Sequence, residues 1–339
     1  MSKSRILFRA DASHELGFGH VARMCALIEE AEVQGFEPVA MFGGDLEAIR
    51  AWAADRKLVV DLREWAPTAV VNAADHPRVR GLVIDGPDLA RTLIPKLPKH
   101  LHTVILDDLG KVALTVGAVV NQNIHAPELA ASYPNAQRRL LGRRYLMLRR
   151  EIRRHLRGAC RPMRSARLRL VITFGGSDPI NATARTLRLI QSERPLDVVV
   201  IAGPGFRDEE GLRSAAALAT EAGHLVDVQR APEDPGSLFV SADAAICSAG
   251  GTLGELAFLG CPALAYAIAR DQIAPARHQV HHGLIAGGRS WADTDDETIR
   301  QDILGFVGDD AGRAAIRKLA LATADADGAK RIIEEGLAA

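Results

Sequence analysis

A chain of 339 residues is longer than one ordinary domain, and two domains of roughly 150 residues each are its natural division. With 47% hydrophobic and 25% charged residues it has a globular composition, and its net charge of zero gives no general attraction to nucleic acid or to an anionic surface. No apolar run approaches the roughly 18 residues that cross a bilayer, and the N-terminus runs into a strand without a signal-peptide core. A cytoplasmic protein without membrane insertion is expected.

In chain order, apolar runs predict strands at 5–9, 37–42, 57–61, 81–85, 103–106, 117–120, 169–174, 197–202, 225–228, 243–247 and 263–267. Helical periodicity predicts helices at 20–34, 45–55, 181–192, 209–222, 252–259 and 310–322. Alternation of this kind argues for an α/β protein with parallel sheets wrapped by helices. Between Arg138 and Arg169 stand 13 arginines, with Glu151 the only acid. This run reads as a solvated helix and linker joining two sheets, or as a basic surface that meets phosphates or an acidic partner. It sets the expected division: an N-terminal α/β domain at 1–150, an arginine-rich linker at 151–168 and a C-terminal α/β domain at 169–339. Cys25, Cys160, Cys247 and Cys261 are scattered without metal spacing, as reduced buried thiols would be.

Three strand-to-helix turns carry candidate chemistry. The first holds Gly17, Gly19 and His20. Amides and the positive end of a helix converge there, and glycines admit a ligand to the backbone. A histidine at that place either caps and packs or moves a proton near neutral pH. The motif lacks the third glycine of a dinucleotide fingerprint and the lysine of a P-loop. The second turn is Gly175-Gly176-Ser177-Asp178-Pro179, where Asp178 and Pro179 read as an N-cap and first helical residue. The third runs Ser248-Ala249-Gly250-Gly251-Thr252 and on to Glu255. Thr252 and Glu255 have capping-box spacing; alternatively, amides of 250–252 bind a diphosphate and Glu255 accepts hydrogen bonds from a ribose diol. Gln272 follows the strand at 263–267, again at a carboxyl end where such folds bind ligands. His278, His281 and His282 lie together without a carboxylate or cysteine to complete a metal site.

The motifs Arg9-x-Asp11-x-Ser13 and Gly17-x-Gly19-His20-x-x-Arg23 resemble the start of the nucleotide-sugar hydrolases of pseudaminic acid biosynthesis and the spore-coat SpsG-type proteins. The similarity continues through Asp107-Asp108, Asn121-Gln122-Asn123, Leu140 to Tyr145, Phe174 to Asp178 and Ser248 to Glu255, in order over nearly the whole chain. It implies a GT-B architecture, related to the MurG-type glycosyltransferases, with two Rossmann-like domains facing a central cleft. It also implies an activity: release of UDP from a UDP-2,4-diacetamido-2,4,6-trideoxy-hexose, with inversion, by water attack at the anomeric carbon. His20 would be the general base, with Asp11 supporting it. Substrate and nucleotide would be bound by Arg9, Gly17, Gly19, Arg23, Gly175, Gly176, Ser177, Ser248, Gly250, Gly251, Thr252, Glu255 and Gln272. The resemblance implies no metal and no cofactor, and the expected partner is a small nucleotide-sugar, with no nucleic acid or protein partner inferred. Many members place a tyrosine shortly after the aspartate matching Asp85; here the run is Asp85-Gly86-Pro87-Asp88, which leaves the sugar open. A GT-B glycosyltransferase using a UDP-sugar donor and a non-catalytic nucleotide-sugar-binding protein are the alternatives.

Overall fold

The computed structural model describes residues 3–55, 61–62, 65–160, 167–190 and 194–337. The chain divides into two compact units. The first runs to Arg150 and takes back the residues from Asp325 on; the second spans Glu151–Ala324.

The sheet of the first unit holds seven strands: β1 (Arg5–Ala12), β2 (Glu37–Gly44), β3 (Asp61–Leu62), β4 (Val79–Asp85), β5 (His102–Leu106), β6 (Val116–Asn121) and β7 (Ala136–Leu141). Their order is β3-β2-β1-β4-β5-β6-β7, and every pairing is parallel. Parallel strands covered on both faces need apolar residues at successive positions. In β1, Ile6, Phe8 and Ala10 join one core, with Val83, Val104, Leu106 and Val120. Leu7 joins the other, with Leu82, Ile84, Ile105 and Val119. Of the strand expected at 57–61, residues 57–60 lie outside the described residues, and Asp61–Leu62 forms β3.

The sheet of the second unit holds β8 (Leu168–Thr173), β9 (Leu196–Ala202), β10 (Leu225–Arg230), β11 (Ala244–Ser248), β12 (Ala263–Ala267) and β13 (Ala286–Ser290). It is parallel in the order β10-β9-β8-β11-β12-β13. Each sheet therefore gathers its strand-to-helix turns at its own carboxyl edge.

The C-terminal boundary differs from the expected 169–339. The helix Gly328–Gly336 places Ala329, Ile332 and Ile333 in the core of the first unit, beside Val21, Met24 and Leu27 of the helix Gly19–Val33. Tyr145 donates a hydrogen bond to Glu335 at 2.8 Å, and Arg138 donates to the Glu335 carbonyl at 2.9 Å. The i, i+3, i+4 spacing of its apolar residues gives this helix one buried face and says nothing about which sheet receives it. Ile332→Ala is expected to lower stability by about 2–5 kcal/mol, the usual result of truncating a fully buried aliphatic side chain. Denaturant unfolding checks this, and an unchanged midpoint would mean that the helix does not complete the core.

The arginine run is not one solvated helix with a linker. Arg138 and Arg139 lie in β7, Arg143 and Arg144 in a single 3₁₀ turn, and Arg169 in β8. Helix is confined to Arg150–Arg153 among the described residues of this stretch. Several of these arginines are tied down: Arg139 to the Tyr133 carbonyl at 2.9 Å, Arg144 to Glu335 at 3.2 Å and Arg154 to Asp234 at 2.5 Å. Residues 161–166 lie outside the described residues.

Candidate functional site

In the first unit, β1 ends at Ala12 and the chain closes a tight loop. The Ser13 carbonyl accepts the Gly17 amide at 2.8 Å, and the Ser13 hydroxyl accepts the Leu16 amide at 3.0 Å. Gly17 has φ 74°, a left-handed conformation that disfavours other residues. Gly19 opens the next helix with nothing within 4 Å of where a side chain would start, so its own packing leaves that position open. His20 sits in the first turn, its side chain 31% exposed.

The carboxylate beside His20 is Asp85, at the carboxyl end of β4: Nδ1 of His20 lies 3.9 Å from Oδ1 of Asp85, whose side chain is fully buried. Asp11 instead accepts a 2.5 Å hydrogen bond from Arg9, which also donates to the Ala10 carbonyl at 2.6 Å. Arg9 is buried, and its Nε has no hydrogen-bond partner. Arg23, one turn beyond His20, is expected to bind ligand but is occupied within the chain. It donates to Asp85 through Nε at 2.6 Å and Nη2 at 2.5 Å, and to Asp108 through Nη1 at 2.6 Å. Asp108 also accepts from Asn123 at 2.8 Å. Burial alone would push the Asp85 carboxyl up; Arg23 and then His20 outweigh it and hold it below the usual carboxylate range. Asp107 accepts the amides of Leu109, Lys111 and Val112 and so shapes its own loop.

In the second unit, two glycine turns leave β8 and β11 side by side. At the base of the first, Phe174 packs against Trp291 with ring centroids 5.2 Å apart, and Trp291 against Tyr266 at 5.1 Å. Gly175 follows with φ 88°. The Gly176 carbonyl accepts the Gly205 amide at 2.8 Å, and Ser177 is buried. Asp178 is not the N-cap residue by position. The helix starts at Ala182 after Asn181, and Asp178 reaches forward from a left-handed turn (φ 43°) to accept the Ala182 and Thr183 amides at 2.9 and 2.8 Å. It performs the cap's chemistry from three residues further back, because Pro179 and Ile180 belong to the turn. A methyl group at Gly203 would lie 2.4 Å from the Gly176 carbonyl oxygen, so the turn is seated directly on backbone. Gly203→Ala is expected to destabilise the second unit by about 1–3 kcal/mol, as overpacking does. Thermal denaturation reads this, and wild-type stability in the variant would contradict the close approach.

At the third turn, Ser248 is buried, and its hydroxyl lies 3.8 Å from where side chains on Gly175 and Gly250 would begin. Gln272 approaches Gly250 in the same way, with Nε2 at 3.5 Å, while its Oε1 accepts the Ile268 amide at 3.0 Å. The structure thus brings Gly175, Ser248, Gly250 and Gln272 together. Nothing lies within 4 Å of the corresponding position on Gly251. The helix Thr252–Leu259 has Gly251 as its N-cap with no side-chain cap, so the expected capping box does not form. Thr252 is already helical, and its hydroxyl cannot fold back as a cap from there. The Leu253 and Gly254 amides donate to the Gly250 and Gly251 carbonyls at 3.1 and 3.0 Å, and no capping side chain covers the start of this helix. Glu255 is buried one turn in and is engaged within the chain. Burial pushes the Cys247 thiol up to about 12, so it is no nucleophile near neutral pH.

No family model matches the chain. It is 24% identical over 266 residues to the uncharacterized protein MJ1062 of Methanocaldococcus jannaschii, over 76% of this chain and 54% of that protein. The chain thus spans about half the length of this curated relative. Among solved structures it is similar to MurG of Acinetobacter baumannii, with a TM-score of 0.67, 16% identity and 98% of each chain covered. UDP-GlcNAc 2-epimerase of Neisseria meningitidis, bound to UDP-GlcNAc, gives 0.64 at 10% identity, covering 97% of this chain and 98% of that one. The spinosyn rhamnosyltransferase SpnG with thymidine diphosphate gives 0.60 at 16%, also covering 97% and 98%. The fold is GT-B. At these identities the likeness speaks for the fold. No helix among the described residues is long and apolar enough to cross a membrane.

Proposed function

We propose that this chain processes a UDP-sugar and that it is a hydrolase, releasing UDP from an amino-deoxy sugar of the 2,4-diacetamido-2,4,6-trideoxy type for nonulosonic acid synthesis. The observation that carries this reading is His20: a partly exposed imidazole on a strand-to-helix turn, backed by a buried, ionised carboxylate. Such a group takes a proton from water at neutral pH. Water then forms the new bond to the anomeric carbon with inversion, the bond from that carbon to the UDP oxygen breaks, and the proton rests on His20. UDP departs as its diphosphate is stabilised by amides at 250–252, with Gly175, Ser248 and Gln272 around that turn. Glu255 would meet the ribose. The epimerase's UDP-GlcNAc and the thymidine diphosphate of SpnG support a nucleoside diphosphate, and the epimerase supports uridine. The motif resemblance from Arg9 to Arg23 supports the sugar class.

The second reading, a glycosyltransferase with a UDP-sugar donor, is favoured by the similarity to MurG and SpnG. Incubation with a panel of UDP-, CDP- and GDP-sugars separates the two. UDP release from a UDP-sugar with water as sole acceptor is the expected result. Release only after a lipid or sugar acceptor is added would overturn the hydrolase reading.

A further inference from the structure

We propose that Asp85 is a positioning residue: it accepts the Nδ1 proton of His20 and so fixes the tautomer in which Nε2 is the base. This deepens the proposed function and rests on its assignment of His20. A neutral imidazole has one donor and one acceptor nitrogen, and a partner at one nitrogen decides which is which. Oδ1 of Asp85 stands 3.9 Å from Nδ1, within a small ring movement of hydrogen-bond distance, as in unliganded sites that tighten on binding. Asp85 can only accept, because Arg23 grips both of its oxygens and keeps it ionised. A bond formed there would hold the ring by Nδ1 and leave Nε2 of this 31% exposed side chain to meet water.

Arg23 has a second effect. A lone buried carboxylate beside an imidazole would hold it protonated and useless as a base. Here the guanidinium cancels the charge of Asp85, while Asp108, itself bonded to Asn123, returns one negative charge further away. The other charged or titratable groups of the preceding loop are Asp11, paired with Arg9, and then His14 and Glu15. The net arrangement orients the ring by a carboxylate whose field is largely spent on Arg23. No part of this follows from Asp11, the acid expected from the motif.

The test has two parts. In the wild-type protein with ¹⁵N-labelled histidine, the His20 resonances are expected to report a protonated Nδ1 and an unprotonated Nε2 above the imidazole titration; the opposite tautomer overturns the proposal. In Asp85→Asn, the Nδ1–H tautomer of His20 is expected to lose its dominance in the same ¹⁵N spectra. Turnover should fall roughly 10²–10⁴-fold through kcat, the range for loss of an oriented base, with UDP affinity kept within about twofold. A tautomer unchanged in Asp85→Asn overturns the proposal. The wild-type tautomer stands as a test if Asp85→Asn does not fold. A wild-type protein that hydrolyses no nucleotide-sugar, yet shows the Nδ1–H tautomer and its loss in Asp85→Asn, would refute the functional reading and leave the positioning intact.

Discussion

Replacing His20 by alanine is expected to reduce turnover by roughly 10²–10⁴-fold, the contribution of a well-placed general base. The loss should fall on kcat, because His20 lies in the first unit and the proposed diphosphate turn in the second. UDP affinity, measured by calorimetry, should stay within about twofold. Stability should hardly move, since the side chain is 31% exposed and makes one distant ion-pair contact. His20→Gln, which keeps a polar side chain without a basic nitrogen, should be as inactive as His20→Ala. Activity within tenfold of wild type in either variant would remove His20 from the chemistry.

The second large effect concerns stability. Arg23→Met is expected to destabilise the first unit by about 3–5 kcal/mol, because it leaves Asp85 buried without its cation. The pH dependence gives the sign. In the wild type the Asp85 carboxyl is held below its unfolded value, so its stabilising contribution is fully present above the ordinary carboxylate range. That contribution is lost as pH falls through the folded value. In Arg23→Met burial acts almost alone, the carboxyl titrates above its unfolded value, and stability falls as pH rises from about 4 towards 7. The gap between the two proteins should therefore widen with pH over that range. A gap that is constant or narrows would show that Asp85 is not the group Arg23 serves. A double variant, Arg23→Met with Asp85→Leu, should recover much of the loss, as apolar replacements of buried ion pairs do.

Much of the fold was legible because parallel strands buried on both faces are written as continuous apolar runs, such as Ile6 to Phe8 and Leu170 to Ile172. Two strands escaped. β7 reads Ala136-Gln137-Arg138-Arg139-Leu140-Leu141, and as an edge strand it buries Ala136 and Leu140 while its arginines face outward. β13, Ala286 to Ser290, contains two glycines with φ near 75° and is held by its pairing with β12 rather than by propensity. The return of Gly328–Gly336 to the first unit is a tertiary choice between two sheets, and local pattern does not encode it.

At the site, the turns were legible and the partners were not. Glycines after strands marked Gly17, Gly175 and Gly250 as turn positions between a strand and the next helix, and each lies in such a turn. Which carboxylate would face His20 depended on β4 lying next to β1, a neighbour 62 positions away from Arg23 in sequence. The available signal was that Asp85, Asp108 and Asn123 each stand at or just beyond the carboxyl end of a strand, where parallel sheets build their sites. Arg23, a binding residue by the motif resemblance, makes three hydrogen bonds to two aspartates within the chain, partners that no local pattern announces.

The most direct test of the central claim is hydrolysis of a UDP-sugar in ¹⁸O-water, with the label followed by mass spectrometry. The account predicts one ¹⁸O in the released sugar and none in UDP, because water attacks the anomeric carbon. Label in the UDP phosphate, or no release without an added acceptor, would contradict it.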